Sequence, residues 1–432
     1  MTNKASTPKK TSQDITSPKG MRDIIGDEYY KFQGFFEKAQ EVAVYYGFRP
    51  IETPLLEQEA TFTSAVGIGT DIVDKEMYTL KTRGGDHLAL RPEQTAGLMR
   101  AYIEHGMHNQ PQPVLFYHSG PVFRHEKQQR GRYRQFYQFD VDILGSEKSI
   151  LDALVIKTLY TILQEAGAPN LSITINSIGD KDSRPVYIRE LVSYYKKHLT
   201  TLPAIDRERL KTNPLRILDS KEEATKALNA DAPDAISFLS ANGKRHFKEV
   251  LESLDQMNIP YQISKSLVRG LSYYTHTVFE IVEDTLEGPV QLAGGGRYDY
   301  LGKILGSKKE IPAVGGSFGI DRIVGSAWYK DLAPRIMKKP KVYFIQVGME
   351  AKLKSLSVIE VLRKAHIPIM QSLSKDSLSA QLAVAEKSDV PYVIIFGQME
   401  AVQNTVIVRN MESRSQDTVS LAELPNYIKH LK

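Results

Sequence analysis

Residues 114–144 hold two runs rich in Val, Phe and Tyr, "VLFYHSGPVFRHE" and "RYRQFYQFDVDILG", on either side of the polar stretch "KQQRG". Runs of that composition and connection predict a long β-hairpin. The second strand constrains the fold because it has two unlike faces. Side chains on a strand alternate, so Phe136, Gln138, Asp140 and Asp142 share one side while Tyr137, Phe139, Val141 and Ile143 share the other. The second set suits a core. The first faces either water, as the outer side of an antiparallel sheet commonly does, or a cleft. For this strand taken alone, water is the simpler reading.

At 432 residues the chain exceeds what one core usually serves, so two or three domains are expected. Its 41% hydrophobic and 25% charged residues are those of a soluble globular protein. A net charge of +5 permits a polyanionic partner without demanding one. There are no cysteines, which excludes disulfides, thiolate metal sites, iron–sulfur clusters and a cysteine nucleophile together. A cytoplasmic protein needs no disulfides, so their absence fits that compartment. Residues 1–17 are polar and basic and read as a flexible leader. No apolar run is long enough to span a bilayer.

Helical spacing predicts a helix over 27–47 that closes on Gly47. "HLALRPEQTAGLMRAYIEHG" reads as a strand breaking at Pro92 into a helix, with Glu93 and Thr95 in the first turn, where backbone N–H groups are free. Residues from about 178 to 262 are charged and helical, the character of an inserted subdomain. Strand-like text returns over 263–282, and within it "LVRGLSYYTHTVFE" (267–280) carries an arginine and two adjacent tyrosines. Pro and Lys in 331–340 mark a linker, so the main domain spans 18–330. Beyond it, "KVYFIQVG", "IPIMQS", "PYVIIFG" and "TVIVRN" alternate with helical stretches at 351–366 and 377–388. That pattern predicts a separate α/β domain over 341–432.

Arg124 and Glu126 share a face near the end of the first hairpin strand, and an arginine there suits planar recognition of phosphate. The hairpin tip adds Lys127, Gln129, Arg130 and Arg132, a basic loop able to meet a nucleic-acid end. "GGGRYD" (294–299) and "GGSFGIDR" (315–322) are glycine clusters of low specificity. The second runs from an expected strand into an expected helix that places Arg322 near a nucleotide. Neither is a P-loop or a dinucleotide fingerprint. His105 and His108 lack a third ligand nearby, so no metal site is expected from protein side chains.

Taken together and in order, these segments resemble the class II aminoacyl-tRNA synthetases, and within that class the histidyl-tRNA synthetases. "PKGMRDI" resembles the family's opening and "RPEQTA" its amino-acid loop. "GPVFRHE…GRYRQFYQFDVDILG" resembles the class's second motif and "AVGGSFGIDR" its third. "LVRGLSYYTHTVFE" and "GGGRYD" resemble two signatures of the histidyl enzymes.

The resemblance implies an α+β fold: an antiparallel-sheet catalytic core with a helical insertion, plus a C-terminal α/β anticodon-binding domain. It implies activation of L-histidine by ATP with Mg2+, then transfer to histidine tRNA, by a cytoplasmic homodimer. On this sequence the catalytic cations are Arg269 and Arg124. Histidine is held by Glu93, Gln94, Thr95, Gln138, Asp142, Tyr273 and Tyr274, with imidazole read by Asp142 and Tyr274. ATP is held by Arg124, Glu126, Phe136 and Arg322, and the tRNA end meets Lys127, Gln129, Arg130 and Arg132. This sequence carries Gln94 where many members have glycine, Asp142 for a glutamate and Ser272 for an aspartate. The competing reading is a non-catalytic, histidine-binding relative that regulates another enzyme. Retention of Arg124, Arg269, Arg322 and the C-terminal domain weighs against it.

Overall fold

A computed structural model describes residues 15–67, 70–127, 131–286, 288–335 and 340–431. Most of the expected leader, residues 128–130 of the hairpin tip and residues 336–339 of the expected linker lie outside the described residues. The chain divides into two compact units, Met1–Pro334 and Arg335–Lys432.

In the first unit an eight-stranded sheet runs in the order Arg49–Pro50, Val114–Phe123, Gln135–Leu144, Ala313–Gly319, Gly288–Arg297, Thr275–Thr285, Leu171–Ser177, Tyr261–Ile263. The two outermost pairings are parallel and all the internal ones are antiparallel. The hairpin forms as expected, with Phe136 opposite Val122 and Gln138 opposite Gly120. Phe139, Val141 and Ile143 have no exposure and pack in the main core. The helix Ser149–Ala166 lies in that core too, burying Val155, Ile156, Leu159, Ile162, Leu163 and Ala166 at helical spacing. Each of the valine, leucine and isoleucine side chains contributes roughly 1.5–3 kcal/mol on burial.

A second core gathers Leu98, Met99 and Tyr102 of the helix Thr95–Glu104 with Tyr273, Tyr274, Val278 and Tyr298. It supports the residues of the candidate site.

The charged 178–262 region is helical, but it is not one detached body. Tyr187, Leu191, Tyr195, Leu202, Leu210 and Ile217 form a small core of their own. The helix Ala241–Gln256 instead inserts Phe247, Val250 and Leu254 into the main core, and Tyr261–Ile263 joins the main sheet.

The strand expected over 263–282 begins only at Thr275. Strict alternation would send two adjacent tyrosines to opposite faces, yet Tyr273 and Tyr274 both line the cavity and are only 2% and 7% exposed. Backbone carbonyls that a ladder would pair are met by Arg184, which donates to the carbonyls of Ser272 and Tyr274. The Ser272 N–H donates to the Val66 carbonyl. A register shift follows at once: Val278 faces Gly296 and Thr275 faces Arg297, so His276 and Thr277 form a bulge.

The second unit is an α/β domain around the five-stranded sheet Ile369–Gln371, Val342–Gln346, Tyr392–Phe396, Thr405–Asn410, Gln416–Ser420. Its first three strands are parallel and its last two antiparallel. Helices Met349–Lys364 and Leu424–His430 cover it through Ala351, Val358, Leu362, Leu424 and Ile428. The helix Gln398–Gln403 and the strand Gln416–Ser420 are additions to the sequence reading.

Candidate active site

A cavity of about 340 Å³ opens on the outward face of the sheet in the first unit. Its wall brings together Glu93, Thr95, Arg124, Glu126, Arg132, Phe136, Gln138, Arg269, Tyr273, Tyr274 and Arg322. These residues are far apart in sequence, and the sheet order brings them together. The central strands Gln135–Leu144, Ala313–Gly319 and Gly288–Arg297 are neighbours. The helix Thr95–Glu104 and the 264–274 segment close the remaining sides.

Glu93 is buried just before its helix. Its carboxylate accepts from the Thr95 N–H (2.8 Å), the Ala96 N–H (3.0 Å) and the Tyr273 hydroxyl (3.3 Å). The N–H bonds satisfy donors that a helix start leaves free, and the position fits the helix dipole. Burial nevertheless holds the Glu93 carboxyl above its ordinary value. Gln138 Oε1 is buried and has no hydrogen-bond partner among the described residues. Burial also holds the phenols of Tyr273 and Tyr298 well above the usual tyrosine range, so both remain hydrogen-bond donors.

The arginines are placed by backbone and by aromatic rings. Arg124 donates from Nε to the Pro92 carbonyl at 2.8 Å, and its guanidinium lies 5.4 Å from the Phe136 ring centre. Arg269 donates from Nη1 to Glu280 Oε1 at 2.6 Å and lies 5.8 Å from the Tyr274 ring centre. Arg322 donates to the Gln291 carbonyl at 2.5 Å. The helix that carries it, Ile320–Val324, has only five residues, so the site owes little to its dipole.

Asp142 and Gln94, expected among the residues that hold histidine, do not line the cavity. Asp142 is 1% exposed and does not line the cavity. Its Oδ1 accepts from Tyr298 (2.5 Å) and its Oδ2 lies 2.9 Å from His118 Nε2, while Tyr298 does line the wall. Gly315, paired with Asp142, leaves room for the carboxylate, since a Cβ there would lie 1.8 Å from its Oδ1. Gln94 is buried at the helix N-cap, off the wall, with both amide atoms unpartnered among the described residues. Lys127 is exposed and absent from the wall, while Arg132 reaches Glu126 Oε2 at 3.5 Å. Gln129 and Arg130 lie outside the described residues.

Sequence reasoning missed Asp140, Tyr298, Gly294 and Glu280. Asp140 and Tyr298 line the wall, as does Gly294. Asp140 stood on the same strand face as Gln138, which was the available signal.

A family model described as histidyl-tRNA synthetase matches residues 20–323, and an anticodon-binding-domain model matches 341–431. The chain is 38% identical over 414 residues to the histidine–tRNA ligase of Desulforamulus reducens, covering 96% of this chain and 99% of that one. It is 36% identical over 416 residues to the corresponding ligase of Natranaerobius thermophilus, with the same shares covered. The chain belongs to the histidyl-tRNA synthetase family. The crystal structure of apo histidyl-tRNA synthetase from S. aureus superposes with a TM-score of 0.80 at 30% identity, over 96% of this chain and all of that one. All the cavity residues named above fall within the part matched by the histidyl-tRNA synthetase model. Among the described residues, no helix is long and apolar enough to cross a membrane.

Proposed function

We propose that this histidyl-tRNA synthetase family member activates L-histidine with ATP and transfers it to the 3′ end of histidine tRNA. One observation carries the reading: a single cavity holds buried acceptors for an ammonium group (Glu93, Gln138) together with arginines for a carboxylate and a phosphate (Arg269, Arg124). A histidine-binding regulatory relative would need the ammonium acceptors and a cation for the carboxylate, but not a phosphate cation such as Arg124 beside Phe136.

In the first step a histidine carboxylate oxygen attacks the α-phosphorus, the bond to the β-phosphate oxygen breaks, and pyrophosphate leaves. Glu93, Thr95 and Gln138 hold the α-amino group. Arg269 bridges the carboxylate and the α-phosphate, and Arg124 neutralises charge building on the phosphate oxygens. Phosphoryl-transfer catalysis of this kind is mostly positioning and electrostatic stabilisation. Phe136 and Arg322 sandwich adenine. Tyr274 and Tyr298, the latter held by Asp142, line the imidazole pocket. In the second step a terminal tRNA hydroxyl attacks the histidyl carbonyl carbon and AMP leaves.

Mg2+ bound with ATP would neutralise its phosphates. The acids beside Arg124 fit that charge: Glu126 is in the wall, and burial together with the Glu126 charge holds Glu76 above its ordinary value. Lys127, Gln129, Arg130 and Arg132 approach the tRNA end. Residues 18–330 form the catalytic domain with its helical insertion, 331–340 the linker and 341–432 the anticodon-binding domain. The enzyme works in the cytoplasm as a homodimer, with "IETPLLE" at the interface.

ATP–pyrophosphate exchange across the standard amino acids tests the assignment. Histidine alone is expected to drive exchange; exchange with proline or threonine instead, or none, would sink it. A second expectation comes from Gly294. A Cβ there would lie 2.5 Å from Arg269 Nη1, so the flexible guanidinium must shift. Small displacements of a positioned group are expensive in rate, so Gly294→Ala should lower histidine-dependent exchange by about tenfold to a hundredfold. The melting transition should stay within a few degrees of the unmodified chain.

A further inference from the structure

We propose that Arg184 is a positioning residue for histidine binding, its guanidinium holding the backbone on both sides of Tyr273 so that Tyr273 and Tyr274 both turn to the cavity. The inference rests on the proposed histidine activation. It makes the helical insertion a part of substrate binding, because Arg184 stands in the first turn of the insertion's helix Ser183–Lys197 and does not itself line the cavity. From Nη1 it donates to the Tyr274 carbonyl at 3.0 Å, and from Nη2 to the Ser272 carbonyl at 3.4 Å.

These bonds stand out because of what the cation lacks. Burial holds the Arg184 guanidinium below its ordinary value, and no carboxylate among the described residues offsets it. A charge taken out of water is costly unless it is paired or hydrogen-bonded. Here the compensation is two carbonyls that flank Tyr273. Strand pairing begins only at Thr275, so the ladder does not supply their donors.

The guanidinium is anchored from its own side as well. The Asp180 carboxylate accepts from the Ser183 N–H (2.8 Å), and the Asp180 carbonyl accepts from the Arg184 N–H (2.9 Å). The other Asp180 carboxylate oxygen accepts from the Ser240 hydroxyl. Ser240 caps the helix Ala241–Gln256, which packs into the main core. The same turn also grips the chain just beyond the tyrosines. The Ile178 N–H donates to the His276 carbonyl and the His276 N–H to the Gly179 carbonyl, each at 2.9 Å.

Without Arg184 the 272–274 backbone can relax toward the alternation of the strand it leads into, which turns one tyrosine off the wall. Histidine feels that change before ATP does. The Tyr273 hydroxyl donates to Glu93, an acceptor for the ammonium, and Tyr274 lines the imidazole pocket. Adenine meets Phe136 and Arg322, which stand on other elements. Glu280 still holds Arg269, so the chemical step is less affected than binding.

The test is Arg184→Met in the full chain, with Arg184→Lys beside it, assayed by ATP–pyrophosphate exchange. Methionine keeps much of the length and none of the donors. Its KM for histidine should rise about tenfold while the KM for ATP stays within about threefold, the mark of lost substrate binding. Lysine keeps the charge without the planar fork, so its histidine KM should rise by about threefold. A purely structural role would instead lower the fraction of active enzyme and leave both KM values unchanged. A histidine KM for the Met variant within about twofold of the unmodified chain overturns the inference, as do parallel rises for histidine and ATP or a Lys variant as impaired as the Met variant. Should the Met variant fail to fold, the Lys variant decides: the threefold rise for histidine alone supports the inference, and a smaller or parallel rise overturns it. Absence of histidine-dependent exchange in the unmodified chain overturns the proposed function and this inference with it. Normal exchange in that chain beside unaffected variants overturns the inference alone.

Discussion

Replacing Arg269 by histidine is expected to lower histidine-dependent ATP–pyrophosphate exchange by two to three orders of magnitude, about 2.7–4 kcal/mol of barrier. In the proposed mechanism Arg269 stands where charge develops, between the attacking carboxylate and the α-phosphate. Its geometry is set by a bond of 2.6 Å from Nη1 to Glu280 and by the Tyr274 ring, with only 17% of the side chain exposed. Imidazole is shorter, and in most settings near pH 7 it is largely neutral. It can replace neither the reach nor the permanent charge of guanidinium. The loss should fall on kcat more than on the histidine KM, because the interaction strengthens as the phosphate gains charge. A loss below about fivefold would show that Arg269 is not the bridging cation. Trp328, the only tryptophan of the chain and part of the first unit, gives a fluorescence check that the variant is folded.

The second large effect is on stability. Arg297, in "GGGRYD", is 1% exposed and lies beneath the site rather than in it. Its guanidinium reaches Asp152 Oδ2 from Nη2 at 2.5 Å and from Nε at 3.1 Å. It also donates to Asp299 (3.2 Å) and to the Ser146 and Lys148 carbonyls. Asp152 has no exposure and holds His246 as well, at 3.2 Å. Asp152→Asn leaves Arg297 buried without its main counter-charge, which typically costs about 3–5 kcal/mol. Urea unfolding read by Trp328 fluorescence should show that loss in the first unit at pH 7. A change under about 1 kcal/mol would mean that the surrounding carbonyls suffice.

The pH dependence has a definite sign. Burial alone would raise the Asp152 carboxyl, but the Arg297 charge and the His246 bond outweigh it and hold it well below the usual carboxylate range. A depressed folded-state pKa gives stability that is present above the unfolded value, about 3.9, and is lost as pH falls below it. The difference between the unmodified chain and the variant should therefore be full near neutrality and shrink below about pH 4.

Much of the site was legible because its residue types are chemically unusual for their positions. Glu93 and Thr95 flank a helix start, Gln138 occupies the polar face of a strand whose other face is core, and Arg124 follows the paired strand. Each is a local pattern, and each lies in the cavity wall. Asp142 shows the limit of that logic. Alternation puts it on the same face as Asp140, but facing direction does not reveal depth. Depth depends on Tyr298 and His118, which arrive from 156 and 24 residues away. The 267–274 run shows a second limit. Its β-branched and aromatic flanks suggest a strand, but the strand begins only at Thr275 and Tyr273 and Tyr274 both reach the cavity, which alternation on one strand would not allow.

By itself, then, the sequence determined the family, the two-faced hairpin and the strand–helix alternation of the C-terminal unit, because periodicity and ordered motifs are properties of neighbouring residues. Only the tertiary structure decided which carboxylate, that of Asp142, is engaged by Tyr298 and His118, and which, that of Asp140, has a buried oxygen with no partner among the described residues. It alone also showed that Glu280 holds Arg269 and that Arg297 is ion-paired below the site rather than in it. Those outcomes depend on partners brought together by sheet order across long stretches of chain, and no local spacing encodes them.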